Sequence, residues 1–242
     1  YSIKSIPNEA FFDCRSLEQV IIPSSVEIIG DGAFQYCSKL EIITFPSSLI
    51  TIGNNAFQKC YKLVEIILPP SLQIIGDNTF SQCSSFKRLN IPPSVTSIGK
   101  GAFSRCTSLF IVEIPPLVTL IEDDVFYGCS TLYHVKLPPS ITSIGDSSFY
   151  ECTNLNEINV PPSLTSIGPN CFYKCYFLNS LKELQSVKSI GENAFYDVIN
   201  KNDKNDNKID DIIIHDRDDD DSYYDRTKDK INGYLSLLQL IK

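Results

Sequence analysis

The hydrophobic positions of this chain fall into columns 23 residues apart. A phenylalanine column runs Phe11, Phe34, Phe57, Phe80, Phe103, Phe126, Phe149, Phe172 and Phe195. An isoleucine column precedes it at Ile6, Ile29, Ile52, Ile75, Ile98, Ile121, Ile144, Ile167 and Ile190. Cysteine follows the phenylalanine at Cys14, Cys37, Cys60, Cys83, Cys106, Cys129, Cys152 and Cys175, and only Cys171 lies off that series. Glycine follows the isoleucine in most repeats; Pro7 and Glu122 are the exceptions. One repeat reads L-x-x-I-x-I-P-x-S-V-x-x-I-G-x-x-A-F-x-x-C-x-x. A fixed period of this kind marks an array of stacked supersecondary units.

Each unit divides into short elements. L-x-x-I-x-I alternates, so Leu40, Ile43 and Phe45 are expected inside and Ile42 and Thr44 outside, as in a strand. Pro46 ends that strand, because proline cannot donate to a ladder. Val26 to Ile29 predicts a second extended piece, followed by Gly30 in a turn expected to use its tolerance of positive φ. Ala33, Phe34 and Cys37 then predict a short 3-10 or α turn packed inward. No unit buries its apolar groups alone, whereas stacked units do, each strand pairing in parallel with the next. Eight or nine coils at about 4.8 Å give a solenoid about 40 Å long.

L-x-x-I-x-I is similar to the strand of leucine-rich repeats. The 23-residue length, I-P-x-S-V, I-G, A-F and C-x-x-L resemble the BspA-type leucine-rich repeat. The resemblance implies a right-handed solenoid with a parallel β-sheet on one face and short strands or 3-10 turns on the other. It also implies use as a binding platform, commonly on a bacterial or protist surface.

The expected organisation has a repeat solenoid over 1–200, an acidic low-complexity insertion over 201–232 and a displaced terminal strand or cap over 233–242. Residues 201–230 hold 11 acidic and 7 basic side chains, a composition that cannot order itself by burial. Leu235, Leu238 and Leu240 restore the strand pattern beyond it, with an amphipathic capping helix as the rival reading. The chain opens on Tyr1, inside a repeat, so it is expected to be a piece of a longer array. Its open first coil suggests end-to-end self-association.

Charge and residue usage narrow the function. A net charge of −8 argues against nucleic acid, which needs a surplus of Lys and Arg. No apolar run is long enough for a transmembrane helix, so membrane insertion is not expected. The nine cysteines include no C-x-x-C pair, and the column is expected to hold buried free thiols rather than metal ligands or disulfides. Free thiols fit the cytoplasm, while the family resemblance suggests a cell surface. Asp203 to Asp211 partly resembles a calcium loop, but Lys208 stands where glycine is needed and Ile214 where a bidentate glutamate is needed. There are two histidines, His134 on a strand and His215 in the acidic segment, and no nucleophile motif beside either. No cofactor, metal or catalytic site is therefore expected.

Function then rests on the outward strand positions, because packing dictates the inward ones. Lys87, Arg88, Phe110, Ile111, Tyr133, His134 and Lys136 stand out on three middle strands as apolar or aromatic groups ringed by cations. That is the composition of an interface hot spot. Strand propensity is the competing explanation. The expected function is a non-enzymatic protein-binding scaffold. The alternatives are a surface adhesin for host or matrix proteins and a structural spacer.

Overall fold

A computed structural model of the chain describes residues 2–64, 66–178 and 181–198. In chain order the strands are β1 (Ser5–Ile6), β2 (Gln19–Ile21), β3 (Ile28–Ile29), β4 (Ile42–Thr44), β5 (Thr51–Ile52), β6 (Ile74–Ile75), β7 (Arg88–Asn90), β8 (Ser97–Ile98), β9 (Ile111–Glu113), β10 (Leu120–Ile121), β11 (His134–Lys136), β12 (Ser143–Ile144), β13 (Glu157–Ile158), β14 (Ser166–Ile167) and β15 (Ser189–Ile190). They lie on two faces of a solenoid. The L-x-x-I-x-I strands form one face as β2-β4 and β7-β9-β11-β13. The I-G strands form another as β1-β3-β5-β6-β8 and β10-β12-β14-β15. Every pairing is parallel and joins residues 23 apart, as in Arg88↔Ile111↔His134. The strands therefore form the expected parallel-strand solenoid, with like residues in register.

The register puts like upon like. Successive rings of the phenylalanine column stack with centroids 5.0–5.8 Å apart. From Phe34 to Phe195 all are buried. Each burial contributes about 1.5–3 kcal/mol. Each stacked pair adds about 0.5–1.5 kcal/mol. Phe86, which takes a leucine slot, meets Phe80 edge-on at 6.4 Å.

The connecting segment differs from the expected helical turn. It is a run of consecutive turns in which amides bond alternately within and between coils. Gln35 donates to Gly32 within the coil, while Gly32, Phe34 and Tyr36 donate to Asn54, Ala56 and Gln58 of the next. Two residues per coil take left-handed φ to allow this, for example Asn55 at 55° and Lys59 at 64°. A continuous 3-10 helix would bond all its amides internally and leave the neighbouring coil unsatisfied.

Gly30 also departs from expectation. It is not among the residues of positive φ. What it supplies is room, because a Cβ there would lie 2.5 Å from Asn8 Oδ1 and 2.6 Å from the Asn8 nitrogen. Gly53, Gly76, Gly99, Gly145, Gly168 and Gly191 meet the preceding coil as closely. Late in the array a 3-10 helix spans Leu181–Ser186. The expected insertion at 201–232 and terminal strand at 233–242 lie outside the described residues.

Two substitutions test the register. Phe103→Ala removes a fully buried ring and is expected to cost about 3–5 kcal/mol in urea unfolding. Gly76→Ala pushes a methyl into the Gly53 carbonyl carbon at 2.7 Å and is expected to cost about 1–3 kcal/mol. A loss below about 1 kcal/mol for Phe103→Ala, well under the usual cost of a core ring, refutes the stacked column.

Candidate protein-binding face

The face of β7, β9, β11 and β13 is a flat ladder that holds the outward side chains in rows. Residues before the first ladder position form one row, in which the rings of Phe110 and Tyr133 stack at 5.5 Å and 17°. Phe110 is 48% exposed and Tyr133 40%, so the stacked pair stands in solvent on one flank. Ile111, also exposed, shares a rung with Arg88 and His134. The third row carries Asn90, Glu113 and Lys136.

Two of the four cationic or basic groups are held by carboxylates. Lys136 Nζ lies 3.3 Å from Glu113 Oε2, and His134 Nδ1 lies 3.1 Å from Glu157 Oε2. Lys87 and Arg88 are exposed, and among the described residues neither forms an ion pair. The structure thus brings all seven sequence-selected residues onto one face within three neighbouring strands. Surface pairs of this kind stabilise by under about 1 kcal/mol, so they set side-chain position more than stability.

The same face carries apolar groups that the selection omitted. Ile21 is 82% exposed and Ile67 74%, more than Phe110, Ile111 or Tyr133, with Ile42 and Val64 beside them. Their offset from the leucine column is the signal that identifies them. The face therefore holds an aliphatic group and an aromatic group, with Lys87 and Arg88 between.

A second column was also missed. Tyr127, Tyr150, Tyr173 and Tyr196 follow the spine phenylalanines and stack at 4.9, 4.7 and 4.9 Å. Their ring faces are taken by one another, and Lys174 Nζ sits 5.3 Å from the Tyr173 centroid and 3.2 Å from Glu151 Oε1. The 23-residue spacing of these tyrosines was legible in the sequence.

The cysteine column is a hydrogen-bond ladder as well as packing. Each Sγ from Cys37 to Cys175 in the series donates to the carbonyl of the phenylalanine 26 residues earlier, at 3.1–3.2 Å. All nine thiols are free and eight are buried; Cys14 is exposed, contrary to the expected burial of the whole column. Burial raises the thiol pKa from 9.0 to about 11 at Cys37 and about 12 at Cys129. Among the described residues no group of three or more His, Cys, Asp or Glu converges as a metal site. No helix among them is long and apolar enough to cross a membrane.

Comparison with known proteins agrees with this geometry. The BspA type leucine rich repeat region matches in 6 copies over residues 4–133 and 97–210. A leucine-rich repeat protein of T. pallidum is 38% identical with a TM-score of 0.60, covering 64% of this chain and 72% of that one. A leucine-rich repeat protein of Bacteroides ovatus is 32% identical with a TM-score of 0.66, covering 81% and 68%. A leucine-rich cell surface protein of Faecalibacterium prausnitzii is 29% identical with a TM-score of 0.65, covering 82% and 63%. No curated protein matches.

The thiol ladder makes its own prediction. In the native chain a thiol reagent is expected to titrate Cys14 alone, and all nine cysteines after denaturation. The buried thiols have folded-state pKa values above the unfolded value, so the unfolded chain ionises first. Stability is therefore complete below pH 9.0 and falls as pH rises through about 11 and about 12. A urea midpoint that stays level across that range contradicts this.

Proposed function

This chain belongs to the BspA-type leucine-rich repeat family, and on that premise we propose that it is a non-enzymatic scaffold that binds another protein on its L-x-x-I-x-I strand face. The observation that carries the reading is the exposed Phe110–Tyr133 stack beside Ile111 and the cations Lys87 and Arg88. The ladder beneath holds these groups in place, so a partner meets a preorganised surface and little side-chain entropy is lost on contact. Aromatic and arginine side chains in such a setting carry most of the energy of protein interfaces. The acidic net charge of −8 favours a protein partner over a polyphosphate.

One observation favours a more specific version, an adhesin displayed on a cell surface. The Faecalibacterium prausnitzii neighbour is described as a cell surface protein. Its ladder fold is shared with this chain, and a stacked array tolerates replacement of its outward residues without loss of the core.

The test uses a partner captured by the full chain and then purified. Phe110→Ala and Tyr133→Ala are each expected to weaken its Kd by more than about tenfold, a loss of 1.4 kcal/mol. Thr142→Ala, on the opposite sheet, is expected to leave it unchanged. Equal affinity of all three variants and the parent chain removes the strand face from consideration.

A further inference from the structure

One junction between neighbouring coils differs from the others. Along the I-G strands each coil donates backbone bonds to the coil before it. Thr96 and Ser97 donate to Gln73 and Gly99 to Ile75, and Thr142 and Gly145 donate to Thr119 and Ile121. The equivalent bonds from Thr119, Leu120 and Glu122 to Thr96 and Ile98 are not formed. The sheet is split there into five strands ending at β8 and four beginning at β10.

The sequence departs from the repeat at this junction in three positions. Glu122 occupies the slot where the other coils from Gly30 onward have glycine, and where a Cβ would meet backbone at under 3 Å. Leu120 occupies a slot that is aliphatic in other coils too, as at Ile28 and Ile74. Leu117 replaces the serine that elsewhere bonds the preceding coil, as Ser94 Oγ bonds Leu72 and Ser140 Oγ bonds Val118. Lys100 replaces the Asp or Asn whose side chain accepts the next coil's amide. That ladder runs Asn8 to Asp31, Asp31 to Asn54, Asn54 to Asp77 and Asp77 to Lys100, stops, and resumes from Asp123 to Asp146. In its place Lys100 Nζ reaches across to Asp123 Oδ2 at 2.8 Å and holds that carboxyl below its ordinary pKa.

The other connections across the junction are intact. β7 and β9 keep all three pairs, and Gly101, Phe103 and Arg105 donate to Asp123, Val125 and Tyr127. The spine registers the asymmetry: the Phe103–Phe126 and Phe126–Phe149 rings are inclined at 12° and 15°, against 0–6° in the other spine pairs.

We propose that the solenoid is hinged between Ile98 and Ile121, opening on the I-G side and pivoting on the β7–β9 ladder, with the Lys100–Asp123 pair as a clasp across the gap. Glu122 keeps the hinge open because its side chain cannot enter the glycine slot. The block from β1 to β8 and the block from β10 to β15 each retain a continuous ladder and move as units. Opening alters the curvature of the strand face between Arg88 and Ile111, which share a rung across the pivot.

Double spin labels at Gln73→Cys and Thr142→Cys, in a Cys14→Ser background, read the gap directly. A broad distance distribution is expected, broader still in high salt that screens the clasp. The K100D/E122G variant restores both the glycine and the acceptor. It is expected to narrow the distribution and to slow amide exchange at Leu120 by at least about tenfold. A narrow distribution in the parent chain shows a fixed bend and overturns the hinge. A broad one that K100D/E122G leaves unchanged overturns its assignment to these residues.

Discussion

The structure depends on the distance between one coil and the next at the I-G step. There the backbone of every coil with glycine at this step lies so close to its predecessor that even a methyl group would overlap it. The other inter-coil contacts repeat with the same spacing. The amides of the turn run reach the following coil, the Asx ladder bridges neighbours, and the thiols reach a carbonyl one coil back. The phenylalanine rings sit at stacking distance for the same reason. None of these contacts is strong alone, since a net hydrogen bond contributes about 1 kcal/mol. Repeated coil by coil in one register, they and the buried columns specify a single stacking order.

This arrangement separates stability from recognition. Inward columns are repetitive because each faces a copy of itself. Outward positions escape that constraint, and they are where the coils differ most: Lys87 and Arg88, then Phe110 and Ile111, then Tyr133 and His134. The parallel ladder converts those differences into a surface with defined rows. The junction at Glu122 shows the converse. A change in the constrained column breaks the sheet locally, while the turn run and the opposite sheet carry the connection across.

The inward half of each coil was legible because packing imposes a period on it. The phenylalanine, isoleucine and leucine columns announce the core, and L-x-x-I-x-I announces a strand whose burial alternates as read, with Ile43 inside and Ile42 outside. The turn run was less legible. A-F-x-x-C has helical spacing, yet two left-handed residues four positions apart, such as Asn55 and Lys59, turn every second amide toward the neighbouring coil. Gly30 misled for a related reason: its role lies in clearance from Asn8, a residue 22 positions away. On the proposed binding face, aromatic and basic character drew notice to Phe110 and Arg88, while Ile21 and Ile67 passed as ordinary strand residues.

By itself the sequence determined the repeat, the register and which columns are inside, because a 23-residue period leaves one way to stack like on like. It also set the outward residues in order along the strand face. Only the tertiary structure decided how near the coils come, which backbone groups meet, and where the array loses continuity. Those depend on the clearance between segments one repeat apart. Glu122 reads as a single exception in a column; beside the coil before it, it becomes a gap in a sheet.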